Sequence, residues 1–503
     1  MSLVKNTLLL TLSNLAIRLA SMLFQVYLAD RIGAAGLGLM QLISSVGILA
    51  ITLGYSGVRT AAMYLTAEEF GRGRLGGVRS AVRCCMIYGL TLSIAAGFLL
   101  TWFAPQLAEG WIQDSRAASS LCLLGLFLPA SCMTAILDGY FTACGKVKQI
   151  VKIELFNRFL AIALTVVLLC IRPGSDLEWA CCAIFAGSGI ANVFCLLVML
   201  WVYRRDCRSF PPTPSGLCMG RRLLQLCLPL AVNEYLRSGL STLEHLLIPH
   251  GLRQNGDSGE EALATYGVIH GMVFPVITFA SAILFSLADV LVPELARCCA
   301  SGNQTRIQYL TDRCLRFGLF FACAVAGLLY LLADPLGILL YHNAEAAIYI
   351  RFFAPLILIL YLDTVVDGMH KGLGQQLSCV RYNTLTSFLD VVFLFLLLPH
   401  YGIAGFLFSF SITHLLNFYL SLRRLLIVTE YPLPLLDSAK IILLTLISVI
   451  VTEQLAVPKT GIQAVLLGLI YLVLFALLSL LTAALSTEDC TWLRSLFQRK
   501  KNC

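Results

Sequence analysis

The chain reads as an all-α polytopic membrane protein of about fourteen transmembrane helices, two pseudo-symmetric six-helix lobes followed by two further helices. Three observations lead there. Over 503 residues the composition is 58% hydrophobic and only 13% charged, about half the charged share of a soluble domain. Apolar runs recur along the whole chain, each near the roughly 20 residues that a helix needs to cross a bilayer. A set of polar residues in the first run returns in the seventh at a constant spacing of 219.

The runs have cores near 6–28, 37–57, 82–103, 118–142, 151–171, 179–203, 223–248, 265–291, 314–333, 346–369, 382–399, 403–422, 438–455 and 462–485. The net charge of +8 sorts by topology and does not point to nucleic acid. All but nine of the 36 Lys and Arg fall on the N-terminal segment and alternate segments after it, as the positive-inside rule expects when both termini are cytoplasmic. Of those nine, Arg31, Arg116, Arg172, Arg253 and Lys459 lie on the opposite side, and Arg18, Arg158, Arg237 and Arg351 lie within spans. The expected location is the cytoplasmic membrane of a bacterium. The stretch after Lys5 is too long for a signal-peptide core and contains Arg18, so it is read as a retained first span.

The internal repeat sets the domain organisation. An offset of 219 pairs Asn14 with Asn233, Arg18 with Arg237 and Gln25 with Glu244. Beyond the longer loop 249–264 the offset is 229, pairing Gly38 with Gly267, Gln41 with His270, and Asp138-Gly139 and Gly145 with Asp367-Gly368 and Gly374. It returns to 219 at Arg204-Arg205 and Arg423-Arg424. Six spans per half make the repeats parallel about an axis along the membrane normal. The expected domains are an N-lobe at 1–203, a cytoplasmic linker at 204–222 containing Pro211-Pro212-Thr213-Pro214, a C-lobe at 223–425, two additional spans at 426–485 and a basic tail at 486–503. The tail has two readings, an amphipathic helix on the inner leaflet or a short unstructured end.

Helical spacing places the polar residues of the first and seventh spans on stripes. Asn14, Arg18, Ser21 and Gln25 share one face, as do Asn233, Arg237, Ser241 and Glu244, with Glu234, Ser238 and His245 beside the second stripe. A charge at the centre of a bilayer helix costs about 2.5–3.5 kcal/mol on insertion scales, so these faces are expected to line a protein interior rather than meet lipid. The planar guanidinium forms bidentate, charge-assisted hydrogen bonds to phosphate and carboxylate, and two arginines from two halves suit one diphosphate. The structural alternative is that Glu234, Glu244 or Asp289 neutralises Arg237 and merely locks helices together. Asp363, Asp390, His270 and His414 form either a cation or proton relay or a set that satisfies itself. Asp138 and Asp367, each followed by glycine, read as helix-end turns, and Arg59, at the end of the second span near the inner surface, either guards a cavity mouth or snorkels to that surface.

Several chemistries are excluded. There is no G-x-x-x-x-G-K-[ST], no H-E-x-x-H and no G-x-S-x-G. The 19 cysteines show no C-x-x-C or metal spacing and read as apolar fillers. No enzymatic activity, cofactor or metal is expected.

Asn6-Thr7-Leu8-Leu9-Leu10 leading to Arg18, and Arg31-Ile32-Gly33-Ala34-Ala35-Gly36-Leu37-Gly38, resemble the start of the polysaccharide-exporter branch of the MOP (MATE-like) superfamily. Asn233 through Leu247-Ile248-Pro249, Tyr266-Gly267 and Leu291-Val292-Pro293-Glu294 fit the same branch, in particular its stage V sporulation protein B group. The likeness covers nearly the whole chain and departs at Arg59, where relatives often carry proline. It implies two lobes in a V around a cavity, alternating access, and export of lipid-linked sugars such as peptidoglycan precursors. In related lipid-II flippases, cavity arginines bind the diphosphate, and Arg18 and Arg237 are the matching positions. With the polar stripes added, the expected substrate-binding set is Arg18, Arg237, Asn14, Gln25, Asn233, Glu244 and His270, with Glu234, Asp289 and Asp363 as candidates for a coupling cation. The expected partners are an anionic lipid-linked sugar and membrane lipids, and the protein is expected to be a monomer. Two other functions stay open: a cation-coupled multidrug exporter with Glu234, Glu244, Asp289 and Asp363 as coupling acids, and a non-transporting scaffold in envelope or spore assembly.

Overall fold

The computed structural model describes residues 2–172, 176–207, 217–432, 434–455 and 460–482. The side chains of residues 2–14, 75, 147, 217, 218, 289, 290 and 435 are outside that description. The expected linker stretch 208–216 and the basic tail therefore lie outside the described residues. What is described is helical, with no strand. In chain order the helices are α1 (Ser2–Tyr55), α2 (Val58–Gly71), α3 (Leu75–Leu107), α4 (Ala118–Ala143), α5 (Val147–Ile171), α6 (Leu177–Cys207), α7 (Leu217–Asn255), α8 (Gly259–Gly267) and α9 (Phe274–Phe279). They continue as α10 (Ser281–Ala300), α11 (Gln304–Leu331), α12 (Ala344–Phe353), α13 (Ile357–Gly372), α14 (Gln376–Tyr401), α15 (Ile403–Thr429), α16 (Leu435–Glu453) and α17 (Gly461–Leu481).

Within the described residues every expected span overlaps these helices, but a count of fourteen does not follow from their length and apolarity. Ten described helical runs are long and apolar enough to cross a membrane, or eleven if α12 and α13 form one bent span. Two causes account for much of the difference. The first two spans are one run, because the loop expected near 29–36 is only a kink at Gly33, with φ 68°. That left-handed conformation costs glycine nothing and strains other residues. In α7 and α16, the polar residues Glu234, Arg237, Glu244, Asp437, Lys440 and Glu453 dilute the apolar pattern. The bend of 56° between α12 and α13 sits at Pro355, which has no N–H to continue the helical ladder.

Two compact units are present. One comprises the described residues within 6–20 and 32–264, the other those within 1–5, 21–31 and 265–503. In the first, α2, α3, α4 and α6 pack around Val58, Ala62, Val82, Cys85, Cys132, Ile136 and Tyr140, all essentially buried. Small residues let the helices approach, as membrane packing without a hydrophobic driving force requires. A Cβ added at Gly97 of α3 would sit 2.4 Å from the Gly125 carbonyl of α4. α7, the first helix of the expected second half, packs with this unit. Leu223 and Cys227 join its core, Arg222 donates to Glu68 at 2.6 Å, and Thr242 donates to the Ser45 carbonyl at 3.2 Å.

In the second unit α13 packs on α10 through Gly368 and Gly372. An added Cβ at these would fall 2.5 Å from Ala288 Cβ and 2.8 Å from Leu295 Cβ. The chain before α10 is irregular, with wider π turns at Val268–Val273 and a break at Ala280. Such backbone is tolerated at membrane depth only where protein satisfies it, and buried Tyr361 donates its hydroxyl to the Ile277 carbonyl at 2.6 Å. α16 and α17 pack on α11 around Cys323, Leu444, Tyr471 and Phe475, with Tyr471 donating to the Cys323 carbonyl at 3.2 Å. The other face of α17 leaves Ile462, Val465 and Leu469 exposed, as a lipid-facing surface requires.

The matched glycines of the repeat behave alike. Gly145 and Gly374 have φ 70° and 71°, and each ends a helix. Lys146 N–H bonds the Phe141 carbonyl, and Gln375 N–H bonds the His370 carbonyl, the six-to-one bond of a glycine-terminated helix.

Candidate functional site

In the unit of residues 6–20 and 32–264, Arg18 is half-buried on α1 and Arg237 is exposed on α7. Arg237 is bonded to an acid one turn away: its Nη2 donates to Glu234 Oε2 at 3.0 Å. The Arg237 side chain nonetheless keeps 72% of its surface, so the guanidinium retains donors for a further acceptor. Asn233 and Glu244 are half-buried on the same helix. Asn14 lies on α1, and its side chain is outside the described residues, as is that of Asp289.

The remaining predicted residues belong to the other unit. Gln25 is half-buried, and its Nε2 is buried with no hydrogen-bond acceptor. His270 packs at a tilt against Tyr266 and edge-on against Phe274, with ring centroids 4.6 and 4.7 Å apart. Phe274 continues to Phe410 at 5.4 Å, and Phe410 stacks on His414 at 3.9 Å. The two histidines expected to form a relay are thus joined by aromatic rings.

The acids of this unit sit in a hydroxyl and amide network on α13, α14 and α15. Asp363 accepts from Asn417 Nδ2 at 3.0 Å. Thr386 donates to Asn417 Oδ1 at 3.3 Å. Asp390, 3% exposed, accepts from Ser409 at 2.6 Å and Thr413 at 3.1 Å. Asp363 Oδ1 remains buried without a donor among the described residues. Buried carboxylates held by neutral donors, with an acceptor left over, suit a proton or a small cation. Among the described residues no group of three or more His, Cys, Asp or Glu is placed to hold a metal.

Two residues read as incidental in the sequence meet in space. Arg59 of α2 is ion-paired with Asp138 of α4. They lie in a cavity of about 450 Å³ within the unit of residues 6–20 and 32–264, lined by α1, α2, α4, α5 and α6 and carrying Glu154, Asn157 and Asn192. Asp138, read from sequence as a helix-end turn, lies inside α4, and Arg59 lines the cavity, the alternative to a snorkelling role. The signal available was an acid matched by a basic residue on another span, and spacing within one helix cannot show that.

The profile of the polysaccharide biosynthesis protein family matches residues 3–298, more than half of the chain. The chain belongs to the polysaccharide biosynthesis protein family. Among relatives of this family member, stage V sporulation protein B of Bacillus subtilis (strain 168) is 22% identical over 410 residues, covering 80% of this chain and 79% of that protein. The probable lipid II flippase MurJ of Rhizobium meliloti (strain 1021) is 25% identical over 272 residues, covering 51% and 46%. The fold matches solved structures of lipid II flippase MurJ in an inward closed conformation, with TM-score 0.70, 14% identity and coverage of 94% of this chain and 98% of that one. It also matches an inward-facing multidrug resistance MATE family transporter of the MOP superfamily, with TM-score 0.61, 15% identity and coverage of 84% and 95%. The family member is accordingly an all-helical, multi-span membrane protein with a MurJ- and MATE-like fold.

Proposed function

We propose that this family member is a flippase, not an enzyme, that exports lipid-linked anionic sugars across the cytoplasmic membrane by alternating access, working as a monomer with both termini in the cytoplasm. The observation that carries the reading is the placement of Arg18 and Arg237. Both lie in one compact unit, Arg18 in the long apolar run of α1 and Arg237 on the polar face of α7, and Arg237 has most of its surface open. Family membership and the relatives' names support the sugar-lipid substrate class. Arg18, Arg237 and Asn233 are assigned to the anionic group, with Asn14 and Glu244 as further polar contacts in the same unit. Glu234 holds Arg237 until an anion competes for it. In the other unit, Asp363 with Asp289 is assigned to a coupling cation.

The test is reconstituted flipping of a fluorescent polyprenyl-diphosphate-linked saccharide. Losing a charge-assisted hydrogen bond removes about 1.5–3 kcal/mol, so Arg18→Ala and Arg237→Ala each lower the rate tenfold or more while expression and melting temperature hold. Wild-type rates in both variants would sink the reading. The buried acids of α13 and α14 favour a second reading, export of organic cations, under which Asp363→Asn stops transport and arginine loss is tolerated.

A further inference from the structure

We propose that the cavity lined by α1, α2, α4, α5 and α6 is a binding pocket for a neutral sugar ring, one that excludes acidic sugars and the diphosphate itself. The proposal deepens the flippase reading and rests on it only for the identity of the complete substrate.

Size comes first. About 450 Å³ lies in the range of pockets for small organic ligands and is far more than a bare ion fills. The walls are apolar and aromatic, from Leu124, Phe127 and Phe185. They are held in place by residues without side chains. A Cβ at Gly189 would fall 2.1 Å from the Phe127 ring, and one at Gly47 would fall 2.8 Å from Leu124 Cδ1. Phe127 therefore occupies space that a side chain at residue 189 would take, and its ring forms a wall of the cavity.

The polar groups then define the ligand. Asp138 Oδ1 and Asn157 Oδ1 are buried and have no hydrogen-bond donor among the described residues. Buried polar atoms are normally paired, and both of these are acceptors, so the ligand that completes them brings donors. Asn192 Nδ2 already donates to Ser131 at 2.8 Å, which fixes that amide. Charge disfavours anions. Against the one guanidinium of the lining, Arg59, which is ion-paired with Asp138 but keeps 60% of its side-chain surface, the cavity sets two carboxyl groups, Asp138 and Glu154. A phosphate or uronate entering here would meet more carboxyl than guanidinium charge. A neutral sugar has what the pocket lacks, hydroxyl donors for Asp138 and Asn157 and a C–H face for the aromatic wall.

The experiment uses the purified full chain in detergent, with binding of N-acetylglucosamine, glucose, glucuronate and tetraphenylphosphonium followed by saturation-transfer NMR and calorimetry. The expected result is saturable binding of at least one neutral sugar and at least tenfold weaker binding of glucuronate. Asn157→Ala and Gly189→Val, checked by melting temperature, are each expected to weaken neutral-sugar binding tenfold or more. The proposal is overturned by absence of neutral-sugar binding in the wild type, by equal binding of glucuronate, by binding unmoved in both variants, or by Asn157-dependent binding of tetraphenylphosphonium in place of sugar. If arginine-dependent flipping persists without sugar binding, the pocket alone fails. If sugars bind as expected but flipping ignores Arg18 and Arg237, the flippase reading fails and the pocket stands.

Discussion

At the scale of single residues, a polar side chain in an apolar helix is visible from sequence, but its partner is not. Arg237 with Glu234 was legible because both lie on one helix, a turn apart. Arg59 with Asp138 was not, because the pair joins α2 to α4 and depends on how those helices pack. Asp390 shows the same limit. Its donors, Ser409 and Thr413, come from α15, and nothing in the local sequence of α14 names them. The arrangement makes a prediction. Leaving a buried acceptor without its donor costs about 1–3 kcal/mol. Ser409→Ala removes the shorter of the two bonds and should lower the melting temperature of the detergent-solubilised protein. Ser411→Ala, which removes only a hydroxyl bonded to its own helix at Leu407, should leave it near wild type. Equal melting temperatures in the two variants would show that the Asp390 network contributes nothing to stability.

At the scale of elements, periodicity and apolar length located the helices well, and they failed where one backbone position decides the outcome. Gly33 turns an expected loop into a kink, and Pro355 turns an expected span into two helices. The paired turns at Gly145 and Gly374 were legible because glycine at a helix end has a conformational reason to be there. The packing glycines were not, since a glycine that admits a neighbouring backbone looks like any other until the neighbour is known. The crossing of α3 and α4 supplies the test. Gly97→Val would place a side chain against the Gly125 carbonyl, and overpacking of this kind costs about 1–3 kcal/mol. Gly239 of α7 has nothing within 4 Å of an added Cβ, so Gly239→Ala should be neutral or stabilising by roughly 0.5–1 kcal/mol, as alanine is over glycine in a helix. Thermal unfolding of both variants separates a crossing that requires glycine from one that tolerates a side chain.

At the scale of the whole molecule, the apolar runs and the repeat carried the fold class, while the compact units followed packing that sequence offsets cannot reveal. α7 opens the second half of the repeat, yet Leu223, Cys227 and Thr242 tie it to helices of the first. Charge also bears on what drives transport. A diphosphate carries roughly two negative charges, and each is worth about 2.3 kcal/mol per 100 mV of membrane potential. With the interior negative, outward movement of the anion is therefore downhill by about 4–5 kcal/mol at 100 mV, a bias of roughly three orders of magnitude in the equilibrium distribution. If the arginines carry the diphosphate and no counter-ion neutralises it in transit, flipping in proteoliposomes should quicken under an imposed inside-negative potassium diffusion potential when the labelled lipid starts on the inner leaflet. It should slow when the sign is reversed. If Asp363 instead couples a cation that moves inward in exchange, the same potential also drives that cation. Flipping should then depend on its gradient, and Asp363→Asn should abolish that dependence while leaving the potential-driven component. A rate indifferent to both potential and cation gradient would exclude electrogenic export of an anionic lipid by this chain.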